Sequence, residues 1–182
     1  MHGLIFAELK KYVDTKFGPS TWDTLLVESG IGPKIYLTMQ THPDAEIVTL
    51  VSTASRKAGI PIQEILEDFG EFLVPAYLRL YGHLLKPEWR TLDVIEHTEE
   101  TIHKVVRVKN PGAAPPELRC RRPSKHEVIL EYTSPRKMCA VARGITKGVA
   151  KHFNERLAMN EAQCMLRGAP CCEISIKVFG PA

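Results

Sequence analysis

No excess of one charge sign runs through this chain of 182 residues: Lys+Arg number 24 and Asp+Glu 21, a formal net charge of +3. The basic cluster Arg119, Arg121, Arg122 and Lys125 stands against a nearly neutral background. Neither DNA nor RNA is an expected partner, because such binding rests on neutralising many phosphates. Long apolar runs are also absent. The longest, such as Cys139 to Ala142, fall far short of the ~18 residues needed to span a bilayer, so no membrane association is expected. The amino terminus reads Met1-His2-Gly3-Leu4-Ile5-Phe6 and then meets Glu8, Lys10 and Lys11. It has neither the basic start nor the apolar length of a secretory signal, which makes the cytoplasm the expected compartment. Five cysteines, four of them after residue 138, do not make a paired disulfide framework, and thiolate or metal chemistry is the better reading. A Gly-rich phosphate loop and a spaced pair of catalytic carboxylates are both missing, so the chain is expected to have no enzymatic activity of its own. No internal repeat or low-complexity segment appears.

What remains is a soluble globular composition, 44% apolar and 25% charged, with enough apolar residues for a sizeable core. At about 150 residues per domain the length gives one domain, or a domain with a small second lobe. Apolar residues Ile5, Leu9, Tyr12, Val13 and Phe17 make a helical stripe that ends at Gly18-Pro19. Ser20 or Thr21 caps a second helix through Trp22, Leu25 and Leu26, and Asp44 opens a third that closes at Gly59. Pro61 is a first-turn proline for a fourth carrying Ile65, Leu66, Phe69 and Leu73. Thr91 caps a longer helix that the Asn110-Pro111-Gly112 triplet stops. Beyond it, Glu127 to Tyr132 and Glu173 to Val178 read as strands, with one more helix from about Arg136 to Phe153 between them. Helices first, then strand, helix and strand, indicate an α+β fold with segregated elements.

Two histidines lie on the Thr91 helix. At 100° per residue, His103 falls about 20° from Leu92 and about 60° from Val106, whereas His97 lies about 200° from Ile95. His103 therefore points inward, either as a ligand or as a hydrogen-bonded core histidine. In Tyr132-Thr133-Ser134-Pro135-Arg136, alternate positions of an extended chain put two hydroxyls and a guanidinium on one face. That trio suits a pair of carboxylates, because arginine forks onto oxygen and the hydroxyls supply further donors. The same residues also suit a plain helix entrance with Ser134 as its cap.

His103, the Pro115-Pro116 pair and Tyr132-x-Ser134-x-Arg136 together resemble the H-NOX family, haem domains that sense nitric oxide or oxygen and are similar to the haem domain of soluble guanylate cyclase. The resemblance runs from Met1-x-Gly3 to the last strand. It implies a single domain over 1–182, with haem b held between an N-terminal helical subdomain over about 1–60 and a C-terminal subdomain of helix plus antiparallel sheet over 61–182. His103 would be the iron ligand, Tyr132, Ser134 and Arg136 the clamp on the propionates, and Pro116 the residue that presses the porphyrin out of plane. A ferrous porphyrin needs those parts and a dry apolar slot. Ile5, Leu9, Leu73, Tyr77, Val141 and Ile145 are the candidates to line it, although a plain core would use the same residues. Oxygen-binding members carry a tyrosine where this chain has Val141, and polar residues where it has Leu9 and Leu73. The resemblance thus implies a sensor of nitric oxide that also binds carbon monoxide and excludes oxygen, with Tyr77 as the one hydroxyl that works against exclusion. Nitric oxide weakens the bond trans to it, so the signal would be relaxation of the haem against Pro116 once the iron to His103 bond slackens. The output would pass to a histidine kinase or a cyclic-di-GMP enzyme, or to a fused effector.

Some members of the family bind a structural zinc through one histidine and three cysteines near the last hairpin. Cys139, Cys164 and Cys172 match that set, while Glu161 stands where the histidine would be. The fourth ligand would then be the carboxylate, Cys171 or water. Buried free thiols or a redox pair are the plainer reading of the same residues, and Cys120 has no evident partner. A zinc and thiol redox sensor built on this cluster is the rival function. A haem peroxidase is a weaker one, since the distal candidates supply no acid and base.

Overall fold

The computed structural model describes residues 1–181. Helices α1 (Gly3–Phe17), α2 (Thr21–Glu28), α3 (Asp44–Ala58) and α4 (Ile62–Tyr81) come first, followed by α5 (Thr91–His97) and, after a single π-helical turn over Glu99–His103, α6 (Lys104–Lys109). Strands β1 (Glu117–Ser124) and β2 (Glu127–Thr133), helix α7 (Cys139–His152), and strands β3 (Glu155–Gln163) and β4 (Cys172–Pro181) complete the chain. The α+β expectation holds. The sheet has four strands in the order β1-β2-β4-β3, every neighbouring pair antiparallel.

Only β2 and β4 are visible in the sequence as strands. β1 is an edge strand of Glu, Arg, Pro and Ser in which Leu118 and Cys120 alone turn toward the core, so its inward face is too sparse to read. β3 alternates only weakly, through Leu157 and Met159. The Thr91 helix is not continuous: the π turn, with His103 N bonded to the Thr98 carbonyl at 3.0 Å, interrupts it just where His103 emerges. Its cap is Arg90, whose N–H donates to Asp93 at 2.9 Å, while the Thr91 N–H goes to Glu155. Helix α4 runs past Pro75 as far as Tyr81. The Glu71 carbonyl, which Pro75 cannot bond, lies beside Gly148 of α7.

The first core joins α1, α2 and α3 to the first half of α4, through Phe6, Leu26, Ile47, Leu50, Phe69 and Leu73, and takes in Ala140 of α7. Its packing therefore extends well beyond residue 60. A second core sets Leu92 and Ile95 of α5 on Val128, Leu130, Ile174 and Ile176 of the sheet. A third, of Val74, Trp89, Val94 and Val149, ties α4, α5 and α7. The tightest joint is between α4 and α7. Gly70 and Gly144 let the two backbones meet, and Glu67 on α4 grips Arg143 at 3.0 Å and Lys147 at 2.5 Å. Burial pushes the Glu67 carboxyl up, but Lys147 and Arg143 more than offset it and hold it below the usual carboxylate range.

A Cβ on Gly144 would lie 1.9 Å from the Glu67 carbonyl oxygen, a backbone atom that cannot step aside. Gly144→Ala is therefore expected to cost about 1–3 kcal/mol through overpacking, lowering the melting temperature by about 3–10 °C for a chain of this size. Gly82→Ala, where nothing lies within 4 Å and φ is −57°, should leave it unchanged or raise it. Thermal melts of the two variants distinguish these outcomes, and equal melting temperatures would contradict the close joint.

Candidate functional site

Where the three cores adjoin they enclose a cavity of about 260 Å³. Its wall on the helical side is apolar: Ile5 from α1, Leu73 and Tyr77 from α4, Val141 and Ile145 from α7. Facing residues come from the α5–α6 segment, Ile102, His103 and Val106 among them, and from Pro115 and Pro116 in the loop before β1. The end of β2 and the turn after it add Tyr132, Ser134 and Arg136. Ten of the eleven residues expected at a single cofactor site thus line one cavity. Leu9 does not. Only the first turn of α1 reaches the cavity, and Leu9, one turn on, is packed 2% exposed in the first core beside a separate small void.

His103 is held by a neighbour that the helix-face argument overlooked. Its Nδ1 lies 2.9 Å from Glu99 Oε2, which also accepts the Leu118 N–H at 3.1 Å, while Arg107 donates to the other carboxylate oxygen. Burial pulls the His103 pKa below its ordinary value, against the opposing pull of Glu99. That shift favours the uncharged ring, the form in which histidine ligates a metal. The readable signal for Glu99 was its i, i+4 spacing from His103, the spacing at which helical side chains meet. His97 lies outside the cavity, stacked on Trp89 at 4.8 Å and bonded to Glu100.

Arg136 is 13% exposed and spans the two halves of the molecule. Its Nε donates to Asp44 Oδ2 at 2.9 Å and one Nη to the Ala114 carbonyl at 2.6 Å. Asp44 lies at the start of α3, and its carboxyl, pushed up by burial, is brought below the usual range by the amino terminus and Arg136. Nothing in the sequence pairs these residues, which are far apart in the chain. Tyr132 and Ser134 are buried, and their mutual hydrogen bond accompanies a Tyr132 pKa raised chiefly by burial. Three arginine donors not used by Asp44 or Ala114 remain for an acidic group in the cavity.

The residues fit the haem that the resemblance implies. A neutral imidazole with its Nδ1 engaged leaves Nε2 as the ligand atom, the opposite wall is apolar, and the donor set suits carboxylates. Among the hydroxyls that line the helical wall and α5, Thr146 donates to Ala142 and Thr98 to Val94 within their own helices. Tyr77 differs: burial raises its pKa well above the ordinary value, so the hydroxyl keeps its proton.

A second cluster, of residues that do not line the cavity, lies where α7 meets β3 and β4 and packs against Tyr132. The ligand atoms of Cys139, Glu161, Cys164 and Cys172 all fall within 4.8 Å of one another. Cys164 Sγ is 3.7 Å from both Cys139 Sγ and Cys172 Sγ, and all three thiols are free. Burial raises the Cys139 and Cys172 thiols. Glu161 also faces Arg143 and Arg167. Cys171 is only half-buried and accepts from Gln163 rather than joining the group. Cys120 is pushed up to about 12 by burial and nearby carboxylates, and donates to the Ile95 carbonyl of α5.

Residues 2–161 match the haem-NO-binding family. Among solved structures, the chain is similar to an H-NOX protein of S. oneidensis in its Fe(II)NO state, with a TM-score of 0.91 at 24% identity over 99% of this chain and 100% of that one. A solution structure of the Shewanella oneidensis domain in the Fe(II)CO state gives 0.87 at 25% identity, over 99% of both chains. Two soluble guanylate cyclases of Caenorhabditis elegans also match. One, gcy-31, is 22% identical over 75% of this chain, and the other, gcy-35, is 24% identical over 90%. The chain spans only 20% and 24% of their lengths.

A guanidinium hydrogen-bonding a carboxylate is worth about 1.5–3 kcal/mol. Arg136→Ala is accordingly expected to speed the loss of haem to an apo-globin acceptor by about 10-fold or more. Arg119→Ala, which removes an exposed side chain on the sheet edge, should not. Equal loss rates would remove Arg136 from the site.

Proposed function

Because the chain belongs to the haem-NO-binding family, we propose that it is a haem-based sensor of nitric oxide that also takes carbon monoxide, excludes oxygen and reports to a partner protein. The observation that carries this reading is the meeting of His103 with Tyr132, Ser134 and Arg136 in the wall of one apolar cavity. His103 would hold the iron of haem b through Nε2. Tyr132, Ser134 and Arg136 would hold the propionates, and Pro116, which shares the His103 side of the cavity, would press on the ring.

When bound, haem would supply a ferrous iron able to take up the gas, and His103 would be the residue through which that event reaches the protein. The protein decides the rest. Oxygen at such a site needs a hydrogen-bond donor, and Val141, Leu73, Ile5 and Ile145 offer none. Tyr77 is the only nearby hydroxyl on α4's cavity face ahead of Tyr81, and it serves in this reading as wall rather than donor. A weakened hold of His103 would free the α5–α6 segment that carries it, and Pro116 beside it. The helical half then shifts against the sheet, a movement of two packed bodies that a local change can drive. The domain itself is a sensor and not a catalyst. Its effector would be a histidine kinase, a cyclic-di-GMP enzyme or a fused domain.

The cysteine cluster favours a second cofactor. Three thiols and a carboxylate within 4.8 Å make a four-ligand set of zinc size, for which we propose a structural zinc that ties α7 to the β3–β4 end of the sheet. A redox sensor built on these thiols draws no support from the family match.

Two outcomes test the function. Ferrous protein should change its absorption spectrum with nitric oxide and with carbon monoxide but not in air, and Tyr77→Phe should behave identically; an oxygen complex in the wild type that Tyr77→Phe abolishes would overturn the exclusion. His103→Gly should take up haem poorly until imidazole is supplied, whereas His97→Gly should take it up normally. For the second cofactor, elemental analysis should find about one zinc per chain, lost in Cys164→Ser.

A further inference from the structure

We propose that Glu99 is the positioning residue that sets how firmly His103 holds the iron, an inference that rests on the reading of His103 as the iron ligand. The carboxylate is anchored at three points. Oε2 is 2.9 Å from His103 Nδ1 and 3.1 Å from the Leu118 nitrogen, and Oε1 accepts from Arg107. Glu99 is therefore not free to swing away from the ring, and it couples His103 both to the first strand of the sheet and to α6.

A carboxylate only accepts, so the bond fixes the imidazole proton on Nδ1 and leaves the lone pair on Nε2. An anionic acceptor behind a ligating histidine makes the imidazole a stronger donor to the metal than a neutral carbonyl does. Arg107 acts in the opposite sense: by sharing the Glu99 charge it tempers what His103 receives. One turn earlier the chain carries the same chemistry on its outer face, where Glu100 bonds His97 at 2.5 Å outside the cavity. That pair is a built-in control. The functional consequence is a threshold. Firmer ligation by His103 raises the share of the nitric oxide complex that keeps its histidine, and so reduces the response at a given dose.

The test is the iron–histidine stretching band in the resonance Raman spectrum of the ferrous holoprotein, read beside the midpoint potential. Glu99→Gln should lower the band frequency, raise the potential, increase the five-coordinate share of the nitric oxide complex and weaken haem retention by about 10-fold. Arg107→Met should move the band and the potential the other way, and Glu100→Gln should move neither. A merely structural role for Glu99 would not give opposite shifts from two variants of one ion pair. An unmoved band in Glu99→Gln, or shifts of the same sign in Glu99→Gln and Arg107→Met, overturns the inference while leaving His103 as the ligand. A wild-type spectrum with no iron–histidine band, or one that persists in His103→Gly without imidazole, overturns both.

Discussion

The contact of α4 with α7 is the constraint on which the rest of the structure depends. Glycine at 70 and 144 brings the two backbones together, and the Glu67 bridges to Arg143 and Lys147 lock their register. Leu73 and Tyr77 on one helix are thereby fixed beside Val141 and Ile145 on the other, and together they form one wall of the cavity. The amino end of α7 is further tied to the sheet through Cys139, which packs with Cys164, Cys172 and Tyr132.

The opposite wall is built differently. Between Thr98 and Lys109 no residue is fully buried, and the π turn breaks the regular helix at the residues that carry His103. Side-chain bonds hold this segment in place more than packing does: Glu99 to His103, Leu118 and Arg107, and Asn110 to the Val106 carbonyl. Segments of low buried contact are those that open at the least free-energy cost. A stiff helical wall facing a polar-tethered segment is an asymmetric arrangement, in which the segment carrying His103 is the less tightly packed side.

The sequence made much of this legible because the long helices are strongly periodic and because the Tyr132, Ser134 and Arg136 spacing is fixed by the extended chain leaving β2. His103 was placed inward by helix phase alone, and the single π turn did not carry it out of the cavity. What stayed hidden depends on contacts remote in the chain. Asp44 reaches Arg136 only through the fold, and β1 escapes notice because an edge strand needs few apolar residues. Leu9 misleads for a local reason: it shares a helical stripe with Ile5, but α1 faces two different cores along its length. Glu99 was readable in principle from its spacing to His103, yet the adjoining glutamate at 100 has an equal claim on sequence grounds, and only the distances separate their roles.

Hydrogen exchange of the ferrous holoprotein, measured with and without nitric oxide, tests the central claim most directly. The account predicts faster amide exchange in the Glu99–Asn110 segment when the gas is bound, with protection in the α4–α7 joint around Gly70 and Gly144 unchanged. Loss of protection at that joint first, with the Glu99–Asn110 segment unaffected, would contradict it.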